Sequence, residues 1–431
     1  MRFALFGLLG LIFAGCSRPA PVPPPRADVG AIATMAPATT SIPPATGNAP
    51  SPPPAAWSDA MVPVVAGSNR FAVDLYRRLR SDDQNLFFSP FSLHAALAMT
   101  ATGARGATLD QLVGVLHLPA DAEARLAAGD LGRFYAADGR PFTLATANAL
   151  WGQAGLAWGE SFRATLAERF GAGFEEADFQ GRPEEERQRI NAWVSARTEG
   201  RIGTLLPPGA VSELTRLCLA SAIFFKGNWA EPFDVAATSP QPFRRADGAV
   251  AEVLLMHRRG RYDHARLDGF QLLAIPYRGH DLEMVVVLPE ASNGLAAVED
   301  QLTAEALLAW RRGAERVDVD LWLPRFRLDD GFDPVSHLKE LGLSDLFLPG
   351  TADLTGMTTT ERLSVSRVLH KAFVLVDEEG TEAAAATAVI ANAPAPPPPK
   401  PIEFRADRPF LFLIRDAHHG TILFLGRFNG P

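Results

Sequence analysis

The chain has 431 residues, 47% of them apolar, and Lys+Arg 41 against Asp+Glu 49 leaves a formal net charge of −8. A mildly acidic chain without a basic cluster lacks the electrostatic footprint of a nucleic-acid binder. With 27 Phe and 7 Trp there is too much apolar surface to leave in water, which excludes disorder for the bulk of the chain, and two cysteines, Cys16 and Cys218, exclude a disulfide framework or a CxxC redox or zinc site.

The first sixteen residues read Arg2, an apolar run from Phe3 to Phe13, then Ala14-Gly15-Cys16, the pattern of a cleaved export signal. The apolar run is far short of the roughly twenty residues a permanent bilayer helix needs. Its ending resembles a bacterial lipobox, with Phe13 where Leu is usual. That resemblance implies removal of residues 1–15 and lipidation of Cys16 as the mature N-terminus. The alternative is an ordinary secretory signal with a coincidental cysteine. Acyl chains contribute roughly 0.8 kcal/mol per buried methylene, so two or three hold a soluble domain firmly on a membrane. Ser17, rather than Asp, after the cysteine favours by analogy the outer membrane, facing the periplasm or the cell surface. Residues 17–56 carry twelve prolines, densest at Pro23–Pro25 and Pro52–Pro54. Proline fixes φ and removes a donor, so residues 16–56 read as a lipidated, unfolded tether reaching up to roughly 120 Å at about 3.1 Å per residue.

The folded part therefore runs from 57 to 431. In Gly67–Arg80, Phe71, Leu75 and Leu79 recur at helical spacing behind Ser68 and Asn69 as candidate caps. Asn85-Leu-Phe-Phe-Ser-Pro-Phe-Ser92 leads into an Ala/Leu-rich helical pattern ending at Met99. Helical patterns return around Asp110–Leu116, Trp158–Arg169 and Glu184–Arg197. Beyond about residue 217 short apolar runs dominate: Leu217–Phe225, Leu272–Ile275, Leu282–Leu288, Val317–Leu323, Val368–Val376, Pro409–Ile414 and Thr421–Leu425. Bounded by Gly, Pro or Asp, they read as buried strands. Helices first and strands later, without βαβ alternation, give the α+β class.

A catalytic site is not legible. The chain has no G-x-S-x-G elbow, no H-E-x-x-H helix, no phosphate loop and no G-x-G-x-x-G. His418-His419 before Gly420 reads as a solvated hairpin turn, and Cys218 as an inert buried thiol. No enzyme, metal or cofactor is expected.

The stretch Val374–Pro401 does not behave as a loop. A strand ends at Val376, and Asp377-Glu378-Glu379-Gly380 marks where the chain leaves the sheet. Thr381–Ala393 then has no Gly or Pro and one charge, Glu382. A connection of twenty-eight residues, 381–408, far exceeds the usual few. With period two, Thr381, Ala383, Ala385, Thr387 and Val389 share one small, uncharged face, fit to enter a core, while Glu382 points the other way. The segment is competent to be a strand although its position makes it an exposed loop; prolines begin only at Pro394. An Ala-rich helix or linker is the alternative on this segment alone.

These residues resemble the serpin family. The hinge Glu378-Glu379-Gly380-Thr381-Glu382-Ala383-Ala384-Ala385-Ala386-Thr387 is similar to that of inhibitory serpins. Matches follow in order at Asn85–Ser92, Asn191–Val194 with Thr198–Ile202, Phe224–Trp229, Leu323–Phe326, Leu369–Phe373 and Pro409–Phe412. The resemblance covers about 67 to 429 and implies a serpin fold of three sheets and about nine helices. Its reactive-centre loop would span about 380–408. It also implies a metastable monomer whose loop is cleaved by a serine protease, or a cysteine protease, and then inserts as a central strand. By position, Ser89, Ser92, Ser221 and His370 match the family's shutter, with Ser221 where Asn is usual. Trp229, Arg325 and Glu378 match its breach, where Glu378 paired with Arg325 would hold the hinge. A serpin-fold binding protein without inhibitory action is the alternative; bulky or charged residues at 383–387 would favour it, and all five here are Ala or Thr.

The family count places the scissile bond near Pro394-Ala395. Proline after a scissile bond blocks most serine proteases, which disfavours Ala393-Pro394 and leaves Ile390-Ala391, Ala391-Asn392, Asn392-Ala393 and Pro394-Ala395. No Lys or Arg lies between Gly380 and Pro399, and Lys400 precedes a proline. The expected target is an elastase- or subtilisin-like enzyme rather than a trypsin-like one.

Overall fold

The computed structural model describes residues 55–81, 84–171, 173–381 and 400–431. Among them are nine α-helices: α1 (Met61–Leu79), α2 (Pro90–Gly103), α3 (Gly106–Val115), α4 (Ala122–Tyr135), α5 (Glu160–Thr165), α6 (Pro183–Arg197), α7 (Leu295–Asp300), α8 (Ala304–Arg312) and α9 (Val335–Glu340). The first eight strands are β1 (Leu86–Phe88), β2 (Phe142–Gln153), β3 (Phe174–Ala177), β4 (Leu217–Asn228), β5 (Ser239–Arg244), β6 (Val250–Leu267), β7 (Phe270–Pro276) and β8 (Leu282–Pro289). The remaining seven are β9 (Glu315–Pro324), β10 (Phe326–Phe332), β11 (Arg367–Val376), β12 (Gly380–Thr381), β13 (Ile402–Arg405), β14 (Phe410–Asp416) and β15 (Ile422–Phe428). No helix among the described residues is long and apolar enough to cross a membrane.

Hydrogen bonds join these strands into two ladders. One runs β1-β15-β14-β8-β7-β6-β9-β13, with β5 also on β6; the other runs β10-β11-β4-β2-β3, with β12 on β4. Of the three expected sheets, two are joined into one ladder by the eighteen-residue β6, which pairs β5 over Val250–Leu255, β9 over Leu255–His264 and β7 over Asp263–Leu267.

Why β4 lies at the centre follows from its sequence. Leu217, Leu219, Ile223 and Phe225 face one apolar cluster, and Cys218, Ala220, Ala222 and Phe224 face a second. Both faces are buried, so the strand is a continuous apolar run without alternation. The second cluster is completed by α6 and the chain after it: Ile190, Val194, Ile202, Leu205, Leu206 and Val211 lie over β4 and over Leu369 and Phe373 of β11.

α2 starts as the sequence suggests, with Pro90 at its first turn and Ser89 as N-cap, its Oγ accepting the Ser92 N–H at 3.0 Å. The start of α1 corrects the expected caps. The helix begins at Met61, because Met61, Val64 and Val65 extend the buried stripe backwards. Ser68 and Asn69 lie inside it, buried. Asn69 serves tertiary structure instead, donating to the Gly420 carbonyl at 2.9 Å and accepting the Ile422 N–H at 2.9 Å.

Candidate functional site

The second ladder carries an anomaly. β11 and β4 are direct neighbours and run parallel, Arg367 opposite Cys218 through Phe373 opposite Phe224. Parallel neighbours need a long crossover, and parallel pairing is slightly weaker per residue than antiparallel. A strand placed between them, antiparallel to both, would replace one parallel ladder by two antiparallel ones. The geometry of the seam thus has room for an improvement that the fold has not made.

A strand of that direction has already begun. After β11 ends at Val376 the chain turns back, and β12 runs antiparallel to β4, Gly380 opposite Asn228 and Thr381 opposite Gly227. Its direction points into the seam. The turn is fixed by Asp377, whose Oδ1 accepts the N–H of Glu379 at 3.1 Å and of Gly380 at 3.2 Å. Burial pushes the Asp377 carboxyl above its ordinary range, the neighbouring Glu378 adds to this, and the two N–H groups oppose it. Gly380 has φ +147°, and a Cβ there would stand 2.3 Å from the Gly227 carbonyl oxygen. Only glycine fits so tight an approach.

Trp229, fully buried at the end of β4, holds this turn from below. Its indole N–H donates to the Asp377 carbonyl at 2.9 Å, its backbone N–H to the Glu379 carbonyl at 2.9 Å, and its ring stacks on Tyr277 at 4.6 Å. The Phe233 N–H donates to the Glu378 carbonyl at 2.7 Å. Arg325 lies 3.7 Å from the Glu378 carboxylate, too long for a hydrogen bond. Glu378 is buried while Arg325 is half exposed, so the pair chiefly compensates a buried charge.

Deeper in the seam, the remaining predicted residues form one polar network. The Ser89 N–H donates to His370 Nε2 at 3.0 Å, so that nitrogen accepts and the ring proton resides on Nδ1. Nδ1–H then donates to Ser221 Oγ at 3.1 Å, Ser221 to Ser92 Oγ at 3.1 Å, and Ser92 to Asn148 Oδ1 at 2.9 Å. The Asn148 amide returns to the Ser92 carbonyl at 3.2 Å, and Ser89 Oγ donates to the Leu423 carbonyl at 2.6 Å. One chain of hydrogen bonds joins β11, β4, α2 and β2 with β15. Burial lowers the His370 pKa from 6.5 to about 3, which keeps the ring neutral and the donor order unbroken.

A family model described as Serpin (serine protease inhibitor) matches residues 66–431. The chain belongs to the serpins. The leukocyte elastase inhibitor of the horse, Equus caballus, is 39% identical over 374 residues, which covers 84% of this chain and 98% of that protein. Among solved structures, Arabidopsis AtSerpin1 in its native stressed conformation gives a TM-score of 0.75 at 30% identity, over 87% of this chain and 100% of that one. A thyroxine complex of human thyroxine-binding globulin gives 0.79 at 27% identity, over 86% and 99%. Serpins are protease inhibitors rather than enzymes, and the globulin is a member of the fold that binds a small molecule.

Of the predicted site residues, the structure brings together Ser89, Ser92, Ser221 and His370 in one network and Trp229, Arg325 and Glu378 around one turn. Gly380 and Thr381 form β12. Glu382, Ala383, Ala384, Ala385, Ala386, Thr387 and the scissile-bond candidates Ile390 to Ala395 lie outside the described residues, as does Cys16. Sequence reasoning missed Asn148, which supplies an amide beside Ser221 where the family's usual Asn is replaced. Its signal was a lone amide inside the apolar run Leu144–Trp151. It placed the chain's exit at Asp377–Gly380 but not the Asp377 carboxylate as the group that holds the turn, whose signal was an Asp three residues before a Gly.

Proposed function

We propose that this serpin inhibits serine proteases as a suicide substrate. The target's catalytic serine attacks the carbonyl carbon of the scissile residue, the peptide C–N bond breaks, and the new amine terminus departs, leaving an acyl ester. The freed hinge then continues β12 into the seam before water can attack the ester. Fourteen residues, Thr381 to Pro394, at about 3.3 Å each carry the bound protease roughly 45 Å. The single observation that carries this reading is the parallel β4–β11 pair with β12 already aimed between its strands. The small, uncharged face of the hinge, Thr381, Ala383, Ala385, Thr387 and Val389, supports it, since none of these would strand a charge in the core.

An elastase- or subtilisin-like target follows from the small residues between Ile390 and Ala395, and the name of the horse relative supports the same preference. A cysteine protease forming a thioester would be trapped by the same movement. We place the protein, as a monomer, on the bacterial envelope through lipid on Cys16, at the outer membrane with the domain at the end of the 16–56 tether.

Incubation with elastase, subtilisin and trypsin, read on denaturing gels, tests this. A covalent adduct with elastase or subtilisin is expected; an adduct with trypsin alone overturns the target, and clean cleavage with no adduct leaves a binding protein. Ala385→Arg places a charge where the strand must be buried, so the variant should be cleaved as before while adduct yield falls by about tenfold or more.

A further inference from the structure

The seam between β4 and β11 ends in a groove. At its foot a backbone bond runs from the Ser366 N–H to the Leu217 carbonyl at 2.8 Å, and the Arg216 N–H donates to Ser366 Oγ at 3.2 Å. Beside these bonds, and lined in part by Arg216 and Ser366 themselves, opens a groove of about 490 Å³. Val335 of α9 and Phe347 give it apolar surface. Four cations, Arg216, Lys339, Arg362 and Arg367, line it against a single carboxylate, Glu361. Leu214 lines it too and is 78% exposed, a large apolar side chain left in water.

Two of the four cations are paired already. Arg216 meets Glu361 at 3.1 Å and Arg367 meets Asp333 at 3.6 Å. Lys339 and Arg362 have no carboxylate within ion-pair distance among the described residues. The Lys339 ammonium lies 5.8 Å from the centre of the Phe347 ring, and Arg362 donates to the Gly350 carbonyl at 3.2 Å. Excess positive charge beside apolar surface is complementary to the anionic end of an apolar chain.

The register of β12 says which chain reaches the groove. Gly380 faces Asn228 and Thr381 faces Gly227, antiparallel. Carried on one residue for one along β4, that pairing sets Ile390 against Cys218, Ala391 against Leu217, Asn392 against Arg216 and Pro394 against Leu214. The proline-free run Thr381–Ala393 thus matches Thr215–Gly227, thirteen residues in each. Proline cannot donate to a ladder, and Pro394 falls where β4, which starts at Leu217, has already ended. Each candidate bond then leaves a different residue at the end of the inserted strand. Cleavage at Ile390-Ala391 or Ala391-Asn392 would set the new terminus against Cys218 or Leu217, both fully buried, where a carboxylate is an unpaired charge. Cleavage at Asn392-Ala393 or Pro394-Ala395 sets it beside Arg216 or Leu214, in the groove.

We infer that this groove is the seat of the carboxylate terminus that cleavage creates, and that the productive cut lies after Asn392 or Pro394. Water attacking the acyl ester breaks the bond to the protease serine, which regains its hydroxyl; the strand keeps the carboxylate and one proton is released. Held by the groove's cations, with Lys339 and Arg362 the two not already paired, that terminus pins the end of the new strand at the foot of the sheet. The inference rests on the trapping reading above.

The test uses the full chain, intact and nicked, as wild type, as the double variant Lys339→Gln/Arg362→Gln, and as the charge-keeping double variant Lys339→Arg/Arg362→Lys. Mass spectrometry of the C-terminal fragment identifies the bond cut in heat-stable nicked protein; the fragment should begin at Ala393 or Ala395. Melting is followed in a fixed concentration of urea. The nicked glutamine variant should melt about 2–4 °C below nicked wild type, and by less in about 1 M salt, where screening is strong. The intact proteins should melt alike, and the charge-keeping variant should follow wild type in both forms. A fragment from heat-stable nicked protein that begins at Ala391 or Asn392 overturns the inference, and so do nicked forms that all melt alike. A glutamine variant lowered as much intact as nicked overturns it too, since that loss owes nothing to the new terminus. If nicking raises the melting temperature of none of the proteins, the trapping reading has failed and the groove's role with it, a result distinct from the others.

Discussion

The two ladders differ in what fills their middles. Around β14 and β15 the frame is packed with large rings: Phe412 stacks on Phe87 at 5.8 Å and Phe326 on Phe428 at 4.8 Å, all fully or nearly fully buried. The six-stranded ladder instead sets Ala220, Ala222 and Ala372 and a hydrogen-bonded serine–histidine chain in the middle of its seam, with rings meeting at its hinge end, Phe224 and Phe373 at 5.9 Å. Close packing of large apolar groups is what makes a core hard to part, and small side chains with polar links are what let it part cleanly. The comparison teaches that any instability the trapping proposal requires would be local. On the trapping proposal it would lie in one ladder and be held there by a frame that does not share it.

The largest test of that contrast is Phe412→Ala. Deleting a buried ring from the frame should cost about 3–5 kcal/mol, lowering intact and loop-cleaved forms together in denaturant titrations. A change confined to the intact form would mean that the frame too belongs to the metastable part.

Acid should act next. Burial lowers His370 to about 3 and His94, on α2, to about 4, both from 6.5. Between 6.5 and those values the unfolded chain binds more protons than the folded one. Stability is therefore full above 6.5 and lost as pH falls towards 4, by ~1.4 kcal/mol per pH unit for each histidine. Protonated His370 would also oppose its Nε2–H to the Ser89 N–H, so acid opens the network. Denaturation measured from pH 7 to pH 4 should show this slope, and His370→Asn should remove about half of it; an unchanged slope would detach the network from the titration.

A smaller effect sharpens the same contrast at the hinge. Gly380→Ala sets a Cβ against the β4 backbone at positive φ, and should cost about 1–3 kcal/mol. The loss should appear with faster hydrogen exchange at Gly227 and Asn228; unaltered exchange there would mean that β12 does not depend on the glycine.

Much of this was legible because burial on both faces writes itself into a strand: β4, β8, β11, β14 and β15 all stand where apolar runs predict them. β6 was not, because its outer face is charged. Arg259 and Arg261 stand opposite Asp320 and Asp318 of β9, a match visible only once the register is known. α4 was hidden by glycine. Gly129 lowers helix propensity, but a Cβ there would meet the Arg169 carbonyl oxygen at 2.4 Å, so close packing requires it. Asn148 acquires its role from bonding Ser92 of α2 and standing opposite Ser221 of β4, and no local pattern encodes partners fifty-six and seventy-three residues away. The hinge was legible for the opposite reason: on the trapping proposal, the need to be strand and loop in turn leaves a composition that neither alone would have.

The most direct measurement is the melting temperature of the intact protein against that of the same protein nicked within Ile390–Ala395. Insertion between β4 and β11 predicts a rise of tens of degrees, since one parallel ladder gives way to two antiparallel ones. A nicked protein that melts where the intact one does, with β4 and β11 still exchanging their amide hydrogens as neighbours, would contradict it.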